Sequence, residues 1–173
     1  MDTDPKAWER RITLRDGQAV YIRPSRPDDE ARYPEFVAAV TPDDMRLRFF
    51  VPIREFSRAL LTHFTQLDYA HAMAFIALDE TTGAMLGVAR LHNNAADDAG
   101  EYAVVVRSEL KGHGLGWQLM QLIIAYARSR GLRAIDGEVL RENKTMLDMC
   151  RHLGFDIASD PRDAAVCNVK LAL

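Results

Sequence analysis

Lys111-Gly-His-Gly-Leu-Gly-Trp117 is where this chain shows its chemistry most openly: glycines at 112, 114 and 116 strip the side chains from a short turn. EYAVVVR precedes the turn and the apolar-periodic QLMQLIIAYARSRG follows it, so the turn joins a strand to a helix. Free backbone N–H groups then stand at the positive end of a helix dipole, a setting suited to a phosphate or pyrophosphate, and glycine allows close approach to the main chain. Turns of this kind serve nucleoside triphosphates, dinucleotides and coenzyme A. A P-loop needs Lys followed by Ser or Thr after its last glycine, whereas Gly116 is followed by Trp117 and Gln118. The spacing Gly112-x-Gly114-x-Gly116 also departs from the GxGxxG of a dinucleotide fold. A tight turn of purely structural purpose is the other reading of the same glycines.

Other reactive residue types are sparse. Cys150 and Cys167 have no metal-type spacing and read as reduced thiols. His63 and His71 fall in different elements with no cysteine nearby, so no metal site is expected. Arg46, Arg48, Arg54 and Arg58 make MRLRFFVPIREFSR basic, either as a salt-bridged solvated face or as a surface for an anionic ligand. The net charge of -3 argues against nonspecific nucleic-acid binding. No apolar run has the length needed to span a bilayer, and the start, MDTDPKAWERR, carries no hydrophobic segment. The expectation is a cytoplasmic protein with no membrane or nucleic-acid partner.

The rest of the chain supplies the frame for the turn. With 173 residues, 48% of them hydrophobic and 27% charged, one domain over 1–173 can bury a substantial core. QAVYIRP (Gln18 to Pro24) alternates in β-formers after Asp16-Gly17 and predicts a strand. RPDDEARYPEFVAAV and TPDDMRLRFF each place a proline and acids in a first turn, with Ser25 and Thr41 as candidate caps, and predict helices. A further helix is expected over Arg54 to Gln66, with Phe56, Leu60, Leu61 and Phe64 on one face. HAMAFIAL and AMLGVARL, separated by DETTG, predict a hairpin, and EYAVVVR a third neighbouring strand. Beyond the glycine turn, Leu115, Leu119, Leu122, Ile123 and Tyr126 form a helical stripe stopped by Gly131. Strand AIDGEVL, helix NKTMLDMCRHL and a strand within AAVCNVKLAL complete an α/β order that predicts a mixed sheet with helices on its faces.

These residues resemble a known family. KGHGLGWQL, with Lys111-x-x-Gly114-x-Gly116, is similar to the acyl-coenzyme-A pyrophosphate motif of the GNAT (Gcn5-related N-acetyltransferase) superfamily, written (Arg/Gln)-x-x-Gly-x-(Gly/Ala). Asn143, followed by Leu153-Gly154-Phe155, looks like its second signature. Over nearly the whole chain, DGQAVYIRPSRPDDE, RLRFF, QLDYAHAMAFIAL, EYAVVVRSELKGHGLG and EVLRENKTMLDMCRHLGF resemble the acetyltransferase domain of bacterial Pat-type protein lysine acetyltransferases. That resemblance implies a mostly antiparallel sheet whose central strands splay apart. It also implies acetyl transfer from acetyl-CoA to a lysine of another protein, notably an AMP-forming acyl-CoA synthetase. Many relatives carry a large regulatory or cyclic-nucleotide-binding domain, for which 173 residues are too few.

Carried over residue by residue, the resemblance implies that backbone amides of Lys111, Gly112, His113, Gly114, Leu115, Gly116 and Trp117 hold the pyrophosphate. Main-chain groups of Val104, Val105 and Val106 pair with the pantetheine arm and polarise the thioester carbonyl. Asn143 bonds the arm from the other side, and Met146 belongs to the same cofactor-binding set. Lys111 replaces the usual Arg or Gln, with a charge that can still meet a phosphate.

A lysine amine has a pKa of about 10.4, so only about one in a few thousand is neutral at pH 7. A base must take its proton. Glu101 occupies the position of the family's general base and is expected as a partly buried carboxylate of raised pKa; an exposed glutamate at a strand start is the plainer reading. Where many relatives have a leaving-group tyrosine, this chain has Cys150, read as a core thiol. Arg48 and Asp68-Tyr69 are candidates for the acceptor side. An acetyltransferase for a small amine, or a silent acyl-CoA sensor, are the alternative functions.

Overall fold

Eight short extended segments line up as one sheet in the computed structural model, which describes residues 4–50 and 57–173. The strands are β1 (Arg10–Thr13), β2 (Ala19–Pro24), β3 (Ala72–Asp79), β4 (Met85–Asn93), β5 (Ala99–Val106), β6 (Ala134–Leu140), β7 (Asp156–Ser159) and β8 (Val166–Ala172). Their order is β1-β2-β3-β4-β5-β6-β8-β7, and every neighbouring pair is antiparallel except β5 with β6.

Helices cover both faces. Between β2 and β3 lie α1 (Tyr33–Ala38), α2 (Pro42–Phe49) and α3 (Arg58–Thr65); α4 (Leu115–Ser129) joins β5 to β6, and α5 (Lys144–His152) follows β6. One core packs α4 and α5 on the sheet through Phe75, Leu91, Leu119, Ile123 and Ile135. The other packs Tyr33, Phe36, Met45 and Phe64 against Ile76 and Val88. Because β3 is covered on both sides, it is a continuous apolar run rather than an alternating one.

The expected elements are present, most with bounds that differ by a residue or two; the helix expected from Arg54 is described from Arg58, and the one expected over RPDDEARYPEFVAAV is α-helical only over Tyr33–Ala38. Thr41 caps α2, its Oγ1 accepting from the Asp44 N–H. Ser25 caps nothing; residues Pro27–Arg32 form a 3-10 turn before α1, and the Asp29 carboxylate accepts the Arg26 N–H instead. Ser57 caps α3, and the expected positions Arg54 and Phe56 lie outside the described residues. Two strands, β1 and β7, were not foreseen. Both are four-residue edge strands with mostly exposed, polar residues, so no buried face imprints a pattern on them.

The single parallel pairing is short. Ala99 pairs with Ala134, Gly100 with Ile135 and Glu101 with Asp136, after which β5 and β6 diverge. In that register Tyr102 and Gly137 come next. The Tyr102 ring lies directly on Gly137, where an added Cβ would stand 2.7 Å from Cε1. The ring also packs edge-on to Phe155 and brings its hydroxyl 3.2 Å from the Cys150 thiol. A buried aromatic side chain therefore occupies the space in which the ladder would continue. Gly137→Ala is expected to cost about 1–3 kcal/mol by overpacking this contact, read as a lower urea midpoint; an unchanged midpoint would show that the ring has room to move.

A buried ion pair fixes the chain where it leaves β2. Arg23 grips Asp29 with two bonds of 2.8 and 2.7 Å, and both side chains are buried. Burial alone would raise the Asp29 pKa, but the Arg23 and Arg26 hydrogen bonds outweigh it and hold the carboxyl below its ordinary value. Its stabilisation is thus complete above the unfolded carboxylate pKa and is lost as pH falls through the lower folded value. Asp29→Asn should lower the unfolding free energy by about 3–5 kcal/mol at pH 7 and flatten the acid limb of the stability curve, both measurable by urea titration across pH.

Candidate active site

Leaving β5, the chain makes one 3-10 turn at Ser108–Leu110 and then enters the glycine segment. Gly112 (φ +84°) and Gly114 (φ +94°) adopt left-handed conformations, and no side chain caps α4. The Lys111 N–H is spent on the Ser108 carbonyl at 3.3 Å and the His113 N–H on the Leu110 carbonyl at 3.1 Å. Among the described residues, none accepts from the N–H groups of Gly112, Gly114, Leu115, Gly116 or Trp117. These unspent donors sit at the positive end of a fifteen-residue helix. A Cβ at Gly112 would meet nothing within 4 Å, so the approach to this main chain is open.

Nearby charged side chains have other partners. The Lys111 ammonium lies 2.6 Å from the Asp44 carboxylate, which also accepts from the Ser108 hydroxyl. Burial acts to raise the Asp44 pKa, and the bonds from Lys111 and Ser108 more than offset it. His113 Nδ1 lies 3.2 Å from Asp16. Arg15, unremarked in the sequence because it lies far upstream, reaches the Gly112 carbonyl at 3.5 Å and lines the same cleft.

That cleft, of about 510 Å³, fills the gap opened between β5 and β6. Glu101, Val104, Val105, Val106, Lys111, Gly112, Gly114, Gly116, Trp117, Asn143 and Met146 all line it. Of the expected site residues, His113 and Leu115 do not: His113 turns to Asp16, and the Leu115 side chain is fully buried in the core. The Arg107 N–H bonds to Leu86 in β4, and an antiparallel ladder alternates, so Val105 spends its main chain on β4 as well. Val104 and Val106 turn theirs toward the free edge. Across the cleft, the Asn143 side chain caps α5 by accepting the Met146 N–H at 3.2 Å, which leaves its amide NH₂ available.

Glu101 sits at the other end of the free edge, the third residue of β5 rather than the first. It is exposed, so the partial burial expected of it is absent. Its cross-strand neighbour in β4 is His92, and the Arg48 guanidinium shares the cleft. Burial lowers the Arg48 pKa, an effect that the charge of Glu101 opposes. Cys150 is a buried core thiol whose pKa is raised by burial. Tyr69 belongs elsewhere, in a second cavity with Trp8 and Tyr126, its hydroxyl donating to the Ser25 carbonyl.

The basic run is dispersed. Arg48 enters the cleft, while Arg46 bonds Asp43 at 2.7 Å and Glu142 at 2.5 Å, joining α2 to the segment before α5. Arg58 opens α3, and Arg54 lies outside the described residues. Arg90 and His92 escaped notice, although a charged residue inside the apolar run AMLGVARL was a legible signal. Among the described residues no group of three or more His, Cys, Asp or Glu side chains could hold a metal, and no helix is long and apolar enough to cross a membrane.

Known proteins share this architecture. The model of the acetyltransferase (GNAT) family matches residues 39–155. An acetyltransferase of Pseudomonas aeruginosa is 34% identical over 163 residues, 93% of this chain and 88% of that protein. The acetyltransferase Pat of Mycolicibacterium smegmatis is 27% identical over 147 residues, 83% of this chain but only 43% of that longer protein. The crystal structure of the GNAT domain of S. lividans PAT superposes with a TM-score of 0.90 at 27% identity, covering 98% of this chain and 99% of that one. With a splayed sheet, a bare strand-to-helix turn and a family model spanning both, the chain belongs to the GNAT acetyltransferases and is related to the Pat enzymes among them.

Proposed function

We propose that this chain transfers the acetyl group of acetyl-CoA to the ε-amine of a lysine in a target protein, with Glu101 as general base. The observation that carries the reading is the convergence on one cleft of a carboxylate, a free strand edge and a set of unspent N–H donors. Kinship with Pat supports a protein acceptor, and an AMP-forming acyl-CoA synthetase is the target class we infer. We assign the activity to the cytoplasm, where Cys150 and Cys167 stay reduced.

The residues present fit the cofactor. The N–H groups of Gly112, Gly114, Leu115, Gly116 and Trp117 would hold its pyrophosphate, with Arg15 as the nearest uncommitted cation; Lys111 and His113 already face carboxylates. Val104 and Val106 would pair with the amides of the pantetheine arm, as a strand pairs, and the Asn143 NH₂ and Met146 would close its other side. Acetyl-CoA supplies an acetyl group activated as a thioester.

Glu101 takes the proton from the lysine ammonium, directly or through water, and so generates the nucleophile. A main-chain N–H on the free edge stabilises the charge that develops on the carbonyl oxygen. With Cys150 buried and its thiol pKa raised, solvent protonates the departing thiolate.

Glu101→Gln should lower turnover at neutral pH by about 10²–10⁴-fold and leave the acetyl-CoA dissociation constant within about twofold, measured by thiol release and calorimetry; unchanged turnover would remove Glu101 as the base. Gly114→Val forces a branched residue into a left-handed conformation at a cost of roughly 1–3 kcal/mol. It should weaken acetyl-CoA at least about tenfold, and tight binding by that variant would place the pyrophosphate elsewhere.

A further inference from the structure

Arg90 is a cation with no counter-ion among the described residues. It projects from β4 toward the α1–α3 side of the sheet and is only 6% exposed. Its Nη2 lies 2.9 Å from His92 Nε2 and 3.3 Å from the His63 carbonyl, and its Cζ stands 4.4 Å above the Phe64 ring. Its Nε has no hydrogen-bond partner among the described residues. Because an arginine only donates, His92 must accept through Nε2 and is neutral, consistent with a pKa lowered by burial and by Arg90 and His63. His92 also stacks on His63, rings 5.8 Å apart and 5° from parallel. No carboxylate among the described residues pairs with Arg90, and burial, aided by Arg48, lowers its pKa to about 10.

This cost sits beside the site. A recess of about 20 Å³ lies between Arg90 and Arg48, and its walls Arg48, Phe49, Ala103 and Val105 also line the main cleft. Glu101 and Ala103 are the β5 partners of His92 and Arg90, so the recess adjoins the base. A buried guanidinium with a second, half-buried one beside it is unfavourable unless an anion arrives between them. The recess admits about one water-sized group, which suits the end of a carboxylate and leaves no room for a phosphoryl group.

We propose that Arg90 and Arg48 form a carboxylate subsite for the acceptor, so that the amine presented to Glu101 comes from a molecule bearing a carboxylate close to that amine. In a protein target this is an Asp or Glu beside the modified lysine; the α-carboxylate of a free amino acid offers the same chemistry. The proposal rests on the reading of Glu101 as the base on the acceptor side. Arg90 is retained, against its desolvation, because it selects the acceptor.

Paired acceptors test this. Peptides with one lysine flanked by Glu or by Gln form one arm, and free lysine against cadaverine, which lacks the carboxylate, forms the other. The carboxylate-bearing member of at least one arm should be used about tenfold better in kcat/KM or more, and the arm that shows it names the source. Arg90→Met should abolish the preference, keep the acetyl-CoA dissociation constant within about twofold and raise Tm, since an unpaired buried cation is replaced by an apolar chain; Arg48→Gln should reduce the preference in its own right. Equal use of both members of each pair, or a preference that survives Arg90→Met, overturns the subsite. Calorimetry of the same acceptors on the CoA-loaded Glu101→Gln protein separates the two readings. Binding that favours the carboxylate and depends on Arg90, with no lysine acetylated by the intact protein, would sustain the subsite and sink lysine acetylation. Acetylation indifferent to the carboxylate would do the reverse.

Discussion

Three residue pairs of parallel ladder join the two halves of the sheet, and the contact that stops them is the Tyr102 ring seated on Gly137. Everything functional follows from that stop. Had the ladder run on, Val104 and Val106 would bond β6 and the cleft would close. Beyond the stop, β5 keeps its pairing with β4 and β6 its pairing with β8, so each is left with one open side facing the cleft. The wedge is held by burial of the phenol against Phe155 and Cys150, and burial pushes its pKa well above the ordinary value. Position 150 therefore supports the splay from behind.

At the far end of the same strand, the anion site is made of main chain. The lysine and histidine of the glycine turn are engaged with Asp44 and Asp16, so both side chains already have partners before any ligand arrives. What remains uncompensated is the set of N–H groups and the dipole behind them, which are fixed by the fold and need no side-chain reorganisation. Asp44 has a second effect. By binding both Lys111 and Ser108, it ties α2 to the approach of the turn, so one helix meets the glycine turn through Asp44 and lines the cleft through Arg48.

Much of this was legible before any coordinates. The apolar runs of β3, β4 and β6, the stripe of α4, and the glycines at 112, 114 and 116 carry patterns imposed by burial or by backbone geometry, and such patterns survive in a linear sequence. The edge strands do not, because four residues with a single partly buried isoleucine are too few to show an alternation. Glu101 was placed through resemblance, and its exposure matches the plainer reading of a glutamate near a strand start rather than the partly buried carboxylate, since burial depends on what α2 and β4 set around it. Arg15 and Arg90 were missed for a related reason: each acts on residues remote in sequence, Arg15 on Gly112 and Arg90 on the α3 side of the sheet. Arg90 alone left a trace, a charge within an apolar strand.

An unpaired strand edge is ordinarily a hazard, a template on which another chain can add and begin to aggregate. Here the outer rims are blunted by brevity and charge, with Arg10 and Arg11 on β1 and Asp156 on β7. A longer stretch of open backbone lies where β5 and β6 part, in the cleft flanked by α2 and α5 and spanned by the Arg46–Glu142 link. The fold therefore keeps an adhesive edge but sets it inside a cleft flanked by two helices, away from the rims along which another sheet would add.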